Sequence, residues 1–234
     1  MITAVILAGG LGTRLRSVVP DLPKPMAPVS GRPFLEHQLD YWMKYGVSHF
    51  VLSVCYRYQA IIDHFGNNYK GADLEYVIEK TPLGTGGGLL LAAEKISKFE
   101  PFLLLNGDTY FAIDLKALID FAHLHDTDWC FSLFHTDQED RYLGIDISEQ
   151  GIITSFKLSA NRPKRLANGG VYLVNPRALN YKKYLPGDKV SLEDDIFPTS
   201  LAIGQRFMGL EFQGAFIDIG VPEDYYRASD ILAK

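Results

Sequence analysis

Along the first half of the chain, short apolar runs alternate with stretches whose apolar residues fall at i, i+3 and i+4. The runs Thr3–Ala8, His49–Val54, Leu74–Ile78, Phe102–Leu105 and Trp129–Phe134 predict strands. Between them, Phe34–Tyr45, Ala60–Phe65, Gly87–Ile96 and Leu115–His123 carry the helical spacing. Strands alternating with helices imply right-handed crossovers and a mostly parallel sheet, the α/β class. After about residue 135 the rhythm changes. Tyr142–Ile147, Ile152–Phe156 and Gly170–Val174 are closely spaced strand candidates, which predicts a small antiparallel β extension suited to a second substrate. Helical spacing returns at Leu192–Ala202, with a break expected at Pro198, and at Pro222–Leu232, where Pro222 suits a first helical turn. No repeat or linker interrupts the pattern, so one domain is the simplest division.

Composition narrows the partners. The 234 residues suffice for one large α/β domain. A net charge of −5 argues against a nucleic-acid surface, so a polyanionic ligand would be held by a few local cations and a metal. No run approaches about 20 apolar residues, and the first run is short and lacks a basic flank. No membrane partner and a cytoplasmic location are therefore expected. Cys55 and Cys130 lie in apolar stretches and are expected as buried, reduced thiols.

The first strand runs directly into Leu7-Ala8-Gly9-Gly10-Leu11-Gly12-Thr13-Arg14-Leu15, and Lys24 follows inside Pro23-Lys24-Pro25. Glycines let backbone N–H groups converge on phosphate oxygens, and Arg14 and Lys24 can neutralise a polyphosphate. A P-loop would need Lys-Ser or Lys-Thr after the glycines. A dinucleotide fingerprint would need a third glycine and a long helix, which prolines 20, 23, 25 and 28 forbid. Nucleoside triphosphate chemistry fits better than either.

Two acids end apolar runs: Asp108 in Asn106-Gly107-Asp108 and Asp218 in Phe216-Ile217-Asp218-Ile219-Gly220. Each alone reads equally as a cap or turn; brought together they would make a hard oxygen site suited to Mg²⁺. Pro82-Leu83-Gly84-Thr85-Gly86-Gly87-Gly88 is a second glycine-rich loop, entering the third helical stretch and suggesting close backbone approach to a ligand. Glu79 just upstream offers two acceptors to an N1–H/N2–H₂ edge such as guanine's, or is a solvated surface acid. Asn168-Gly169-Gly170 is expected at a strand start, facing sugar hydroxyls or forming a β-turn. Glu193, in Ser191-Leu192-Glu193-Asp194-Asp195, is a sugar contact or part of an acidic first turn behind a Ser191 cap. The six histidines lack zinc spacing, and no serine or cysteine nucleophile motif occurs.

Taken together, these motifs resemble the sugar-1-phosphate nucleotidyltransferases over essentially the whole chain, most of all the D-glycero-D-manno-heptose 1-phosphate guanylyltransferase branch. The resemblance implies a Rossmann-like three-layer sandwich around a mostly parallel mixed sheet, with residues 1–135 binding nucleotide and 136–234 binding sugar phosphate. It implies a Mg²⁺ requirement and formation of a nucleotide-sugar, from GTP and heptose 1-phosphate, plus pyrophosphate, for cell-surface polysaccharide synthesis. It further implies that Arg14 and Lys24 contact phosphates and that Asp108 and Asp218 hold the metal. Leu7, Ala8, Gly9, Gly10, Gly12, Thr13, Glu79, Pro82, Gly84 and Thr85 would frame the nucleotide; Asn106, Lys157, Asn168, Gly169 and Glu193 would meet the sugar phosphate. One departure stands out. The family's Glu-Lys pair upstream of Asn168 is replaced by Leu158 and Ser159, leaving Lys157, Lys164 or Arg165 as substitutes.

Three alternatives stay open. The same chemistry could use UTP or dTTP and another sugar phosphate, such as an N-acetylmuramate type. A glycosyltransferase would want an Asp-x-Asp motif, which only Asp126-Thr127-Asp128 supplies, ahead of an apolar run rather than after one. A non-catalytic nucleotide-sugar sensor would follow from a lost clamp at Ser159. A homodimer is compatible with the chain's size.

Overall fold

The computed structural model describes residues 2–136, 142, 144–156, 166–180 and 183–232. The chain opens with β1 (Thr3–Ala8), the short β2 (Pro28–Val29) and β3 (Arg32–Pro33), then α1 (Phe34–Lys44). Next come β4 (His49–Val54), α2 (Tyr58–Phe65), the two-residue β5 (Asn68–Tyr69), β6 (Ala72–Ile78) and α3 (Gly84–Ala92). After β7 (Phe102–Asn106) and β8 (Thr109–Phe111), α4 (Leu115–Leu124) leads to β9 (Trp129–His135). The remainder is β10 (Gly144–Ile147), β11 (Ile153–Ser155), β12 (Leu166–Val174), α5 (Phe197–Ala202), β13 (Phe207–Glu211), β14 (Phe216–Asp218) and α6 (Pro222–Leu232).

Among the described residues, ten strands form one mixed sheet, with the path β11-β10-β12-β7-β1-β4-β6-β5 and with β9 joining β12 to β13. The run β7-β1-β4-β6 is parallel throughout. Side chains alternate between its faces. Ala4, Ile6 and Ala8 of β1 pack with Leu35, Leu39, Ile61 and Leu118 from α1, α2 and α4. Val5 packs the other way, with Leu89 of α3 and Phe197 of α5. Helices thus cover both faces, the three-layer arrangement that burying both sides of a parallel sheet requires.

A third apolar cluster matters for the site. Leu15, Val19 and Ala27 from the loop after β1, with Val29 of β2, pack against Ile217, Ile219 and Ala228 around β14 and α6. It clamps the segment carrying Lys24 onto the strand carrying Asp218.

Several expectations shift. The antiparallel extension is present, as β10, β11 and β12, but β12 begins earlier than expected, so Asn168-Gly169-Gly170 lies mid-strand. The ladder with β9 breaks there between Asn168 and Tyr172, and Gly170 has φ 71°, a bulge. The helix expected at Leu192–Ala202 is a π turn over Leu192–Ile196 followed by α5, and Pro198 sits harmlessly in the first turn of α5. Periodicity missed β8, β13 and β14, which are short or lie in mixed polar context. Of the cysteines, Cys130 is buried, but Cys55 is only half-buried at the end of β4.

Candidate active site

The carboxyl ends of β1, β6 and β7 open into a cleft of about 410 Å³. Leu7, Ala8, Gly9, Gly10, Leu11, Lys24, Glu79, Pro82, Gly84, Thr85, Asn106 and Asp108 line it. Nine of the expected nucleotide contacts are thereby gathered on one edge. Gly12, Thr13 and Arg14 lie just beyond its lining; Thr13 and Arg14 are exposed on a turn closed by the Leu15 N–H to the Gly12 carbonyl, 3.0 Å. Gly12 itself has φ 60°, a conformation most residues resist.

Lys24 reaches this edge because the loop after β1 folds back through a 3₁₀ turn, Lys24–Met26. Its Nζ donates to Asp108 Oδ2 at 2.7 Å, with the lysine side chain only 11% exposed and the aspartate 32%. Asp108 sits in the turn between β7 and β8. Gly107 makes that turn possible, since a Cβ there would lie 2.5 Å from the Leu7 carbonyl oxygen. The second acid arrives by strand pairing: Asp218 of β14 is opposite Thr109 of β8, and Ile219 N–H donates to the Asp108 carbonyl at 2.9 Å. Residues far apart in sequence are thus adjacent. Asp218 Oδ1 also accepts from Gly220 N–H at 2.6 Å.

Glu79 is not a solvated surface acid. It is 6% exposed, and its oxygens accept from the Ser53 hydroxyl and the Leu83 N–H, each at 2.9 Å. A Cβ on Gly9 would lie 2.2 Å from Glu79 Oε1, so the glycine of the first loop is what admits this carboxylate to the cleft wall. The glycines of the second loop have a different use than ligand approach alone. Gly86 and Gly87 donate to the Val190 carbonyl at 2.9 and 3.0 Å, and a Cβ on Gly87 would lie 2.4 Å from the Asp188 carbonyl. They are the first turn of α3, and their close approach is to the chain's own 188–191 segment.

That segment leads into Glu193, which is tied to the cleft wall through Thr85. Thr85, which lines the cleft, donates to Glu193 Oε2 at 2.8 Å and accepts from the Leu192 N–H at 2.8 Å. Ser191 caps the π turn by accepting from Asp194 N–H, as its type predicts. The β12 bulge meets the same corner. Asn168 Nδ2 donates to the Tyr172 hydroxyl at 2.6 Å, and Gly170 lies against Asn106, whose Nδ2 is 3.0 Å from where a Cβ would stand. Burial and then the Glu193 carboxylate hold the Tyr172 phenol above its ordinary range, so it stays protonated. Asn106 lines the cleft, whereas Asn168, Gly169 and Glu193 stand behind its lining. Lys157, with Leu158, Ser159, Lys164 and Arg165, lies outside the described residues. Asp126 and Asp128 are far from metal duty: both pair with Arg177, at 2.8 and 2.6 Å.

A family model for nucleotidyl transferases matches residues 3–234. The chain belongs to the nucleotidyl transferase family. It is 40% identical over 224 residues to the D-glycero-alpha-D-manno-heptose 1-phosphate guanylyltransferase of Campylobacter jejuni, covering 96% of this chain and 97% of that protein. The protein of the same description from Aneurinibacillus thermoaerophilus is 37% identical over 225 residues, 96% of each. The crystal structure of HddC from Yersinia pseudotuberculosis superposes with a TM-score of 0.84 at 37% identity, covering 98% of this chain and 99% of that one. The same protein has also been solved complexed with GMP-PN.

For a nucleotidyl transferase the donor set at Asp108 and Asp218 is informative. No group of three or more His, Cys, Asp or Glu side chains forms a metal cage among the described residues. Asp108 lines the cleft from its turn, and Asp218, outside the lining, ends the strand paired beside that turn; two such carboxylates suit a hard cation when phosphates and waters complete its shell. The residues present fit Mg²⁺.

Proposed function

We propose that this chain is a Mg²⁺-dependent guanylyltransferase that joins GTP to D-glycero-D-manno-heptose 1-phosphate, releasing GDP-heptose and pyrophosphate for cell-surface polysaccharide synthesis. The observation that carries the reading is the 40% and 37% identity, over nearly the whole chain, to heptose 1-phosphate guanylyltransferases, supported by a cleft lined by Gly9, Gly10, Lys24, Glu79 and Asp108. The base assignment is supported by Glu79. Its two oxygens are fixed acceptors at the cleft wall, and guanine presents two adjacent donors, whereas adenine pairs a donor with an acceptor.

The chemistry then follows from charge. A sugar-phosphate oxygen attacks the α-phosphorus, and the α–β anhydride bond breaks with its electrons leaving on pyrophosphate. A phosphate monoester has its second pKa near about 6, so the nucleophile is anionic at neutral pH and needs no general base. The protein's task is to hold two polyanions in line against their repulsion. The glycine turn lays N–H groups along the triphosphate, Lys24 exchanges part of its pairing with Asp108 for phosphate, and Arg14 closes over from the exposed turn. Asp108 and Asp218 would hold Mg²⁺, which when bound screens the charge on both phosphates. Asn106, Asn168, Gly169 and Glu193 orient the sugar, and Lys157 is proposed as the cation for its phosphate.

Nucleotide binding gives a direct test. GTP with Mg²⁺ should raise the thermal midpoint by about 5 °C or more near a hundred times its dissociation constant, well above UTP, CTP and dTTP. Stabilisation by UTP or dTTP in preference to GTP would overturn the base assignment.

A further inference from the structure

Gln38 lies on α1 and is 1% exposed. Its Nε2 donates to the Asn106 carbonyl at 2.8 Å and to the Thr109 carbonyl at 2.6 Å. A primary amide has two N–H groups, so both are used, one on either side of the Gly107-Asp108 turn. Reversing the amide would aim its oxygen at two carbonyl oxygens, so its orientation is fixed by the network. Gln38 Oε1, meanwhile, is buried with no hydrogen-bond partner among the described residues. A core position chosen for stability alone favours leucine, which fills a similar volume and leaves no polar atom unsatisfied. What distinguishes glutamine here is the turn its donors hold.

Beyond the strand ladders and the Lys24–Asp108 pair, the backbone of that turn makes two other hydrogen bonds among the described residues: Gly107 N–H to the Leu7 carbonyl at 3.0 Å and the Asp108 carbonyl to Ile219 N–H at 2.9 Å. They tie the turn to β1 and to the residue after Asp218. Neither restrains the Asn106 and Thr109 carbonyls, which set the pitch of the peptides bracketing Asp108. We propose that Gln38 is a positioning residue: it staples the β7–β8 turn from α1 so that the Asp108 carboxylate faces Lys24 beside the Asp218 strand. It touches no substrate. Its effect on catalysis rests on the metal and phosphate role proposed above for Asp108; the staple itself does not.

Gln38→Leu removes both donors, Gln38→Met does so with an unbranched chain, and Gln38→Glu retains one donor when protonated. Three readouts apply to the full chain: amide hydrogen exchange, Mn²⁺ binding by paramagnetic resonance, and the split between kcat and KM. In Gln38→Leu, exchange across residues 106–110 should quicken about tenfold while β4 is unchanged, and kcat should fall about 10- to 100-fold with KM for GTP within about threefold. Mn²⁺ affinity should fall severalfold, and Gln38→Glu should lie between Leu and the parent chain. Normal exchange at the turn in a folded Leu or Met variant would overturn the proposal. So would quickened exchange spread across the whole sheet, or failure of both apolar variants to fold, since either marks a core role. If the parent chain releases no pyrophosphate with any substrate pair, the functional reading fails, and exchange at the turn still decides the staple.

Discussion

On the proposed nucleotide side of the cleft, glycines just past the ends of the parallel strands β1 and β7 shape the wall. On the proposed sugar side the polar groups are side chains, delivered by a bulged strand and a π turn and fastened to one another. Gly9 and Gly107 act by having no side chain: a Cβ at Gly9 would meet Glu79 and one at Gly107 would meet Leu7. Glu193, Asn168 and Tyr172 act through their functional groups: Glu193 is held by Thr85, which lines the nucleotide side, and Asn168 by Tyr172. A site made of strand ends is rigid and tolerates little change. A site made of linked side chains can be retuned one contact at a time, which suits the half that must recognise a particular sugar.

That contrast can be broken at defined points. The largest effect is expected from Lys24→Ala. Removing a preorganised cation should lower kcat by about 10²- to 10³-fold, while circular dichroism and the thermal midpoint stay near those of the parent chain. Asp108 is partly exposed and regains water when its partner is lost, so the fold should survive. Parent-like turnover would remove Lys24 from the mechanism. Glu79→Gln comes next, replacing one of two fixed acceptors with a donor. The GTP-over-UTP ratio of kcat/KM should fall by about 10- to 100-fold, the value of one bidentate contact. An unchanged ratio would place base recognition elsewhere.

On the sugar side the effects should be smaller and selective. Thr85→Val keeps the shape but cuts the bond to Glu193 and leaves the Leu192 N–H unpaired. KM for the sugar phosphate should rise about three- to tenfold, with KM for GTP moved less, because the lost bond orients Glu193 without itself touching the sugar, a net effect of about 1 kcal/mol. Equal changes in both would mean that the corner is shared rather than divided. The smallest effect lies away from the cleft. Burial lowers the pKa of His37 below 6.5, although its ring bonds the Val29 carbonyl at 3.0 Å. Below 6.5 the unfolded chain takes up a proton that folded His37 resists, so stability falls as pH drops through that range and is unaffected above it. Urea midpoints measured from about pH 7 down to 5 should decline less steeply in His37→Gln than in the parent chain.

The same division explains what could be read from the sequence. The strand ends carrying Gly9, Glu79 and Asn106–Asp108 follow from hydrophobic runs and glycine spacing, because local periodicity fixes where a parallel strand stops. Asp218 was legible as a carboxylate ending an apolar run and as a candidate companion of Asp108, but the strand pairing that brings it there was not, because β8 and β14 are three-residue strands below any periodic signal. The bulge at Asn168–Tyr172 read as a strand start because its two glycines mimic a turn. Gly86 and Gly87 suggested a ligand because nothing local reveals that Val190 and Asp188 press against them. Gln38 left no trace at all: a polar residue among apolar helix positions gives no hint of two carbonyls in a turn 68 and 71 residues away.

The most direct test is pyrophosphate release by the full chain with GTP, Mg²⁺ and D-glycero-α-D-manno-heptose 1-phosphate, alongside a panel of other nucleotides and sugar 1-phosphates. The account predicts one pyrophosphate per GDP-heptose formed, fastest with this pair, and abolished by chelating the metal. Release that is fastest with another base or sugar, persists without metal, or is absent throughout would contradict it.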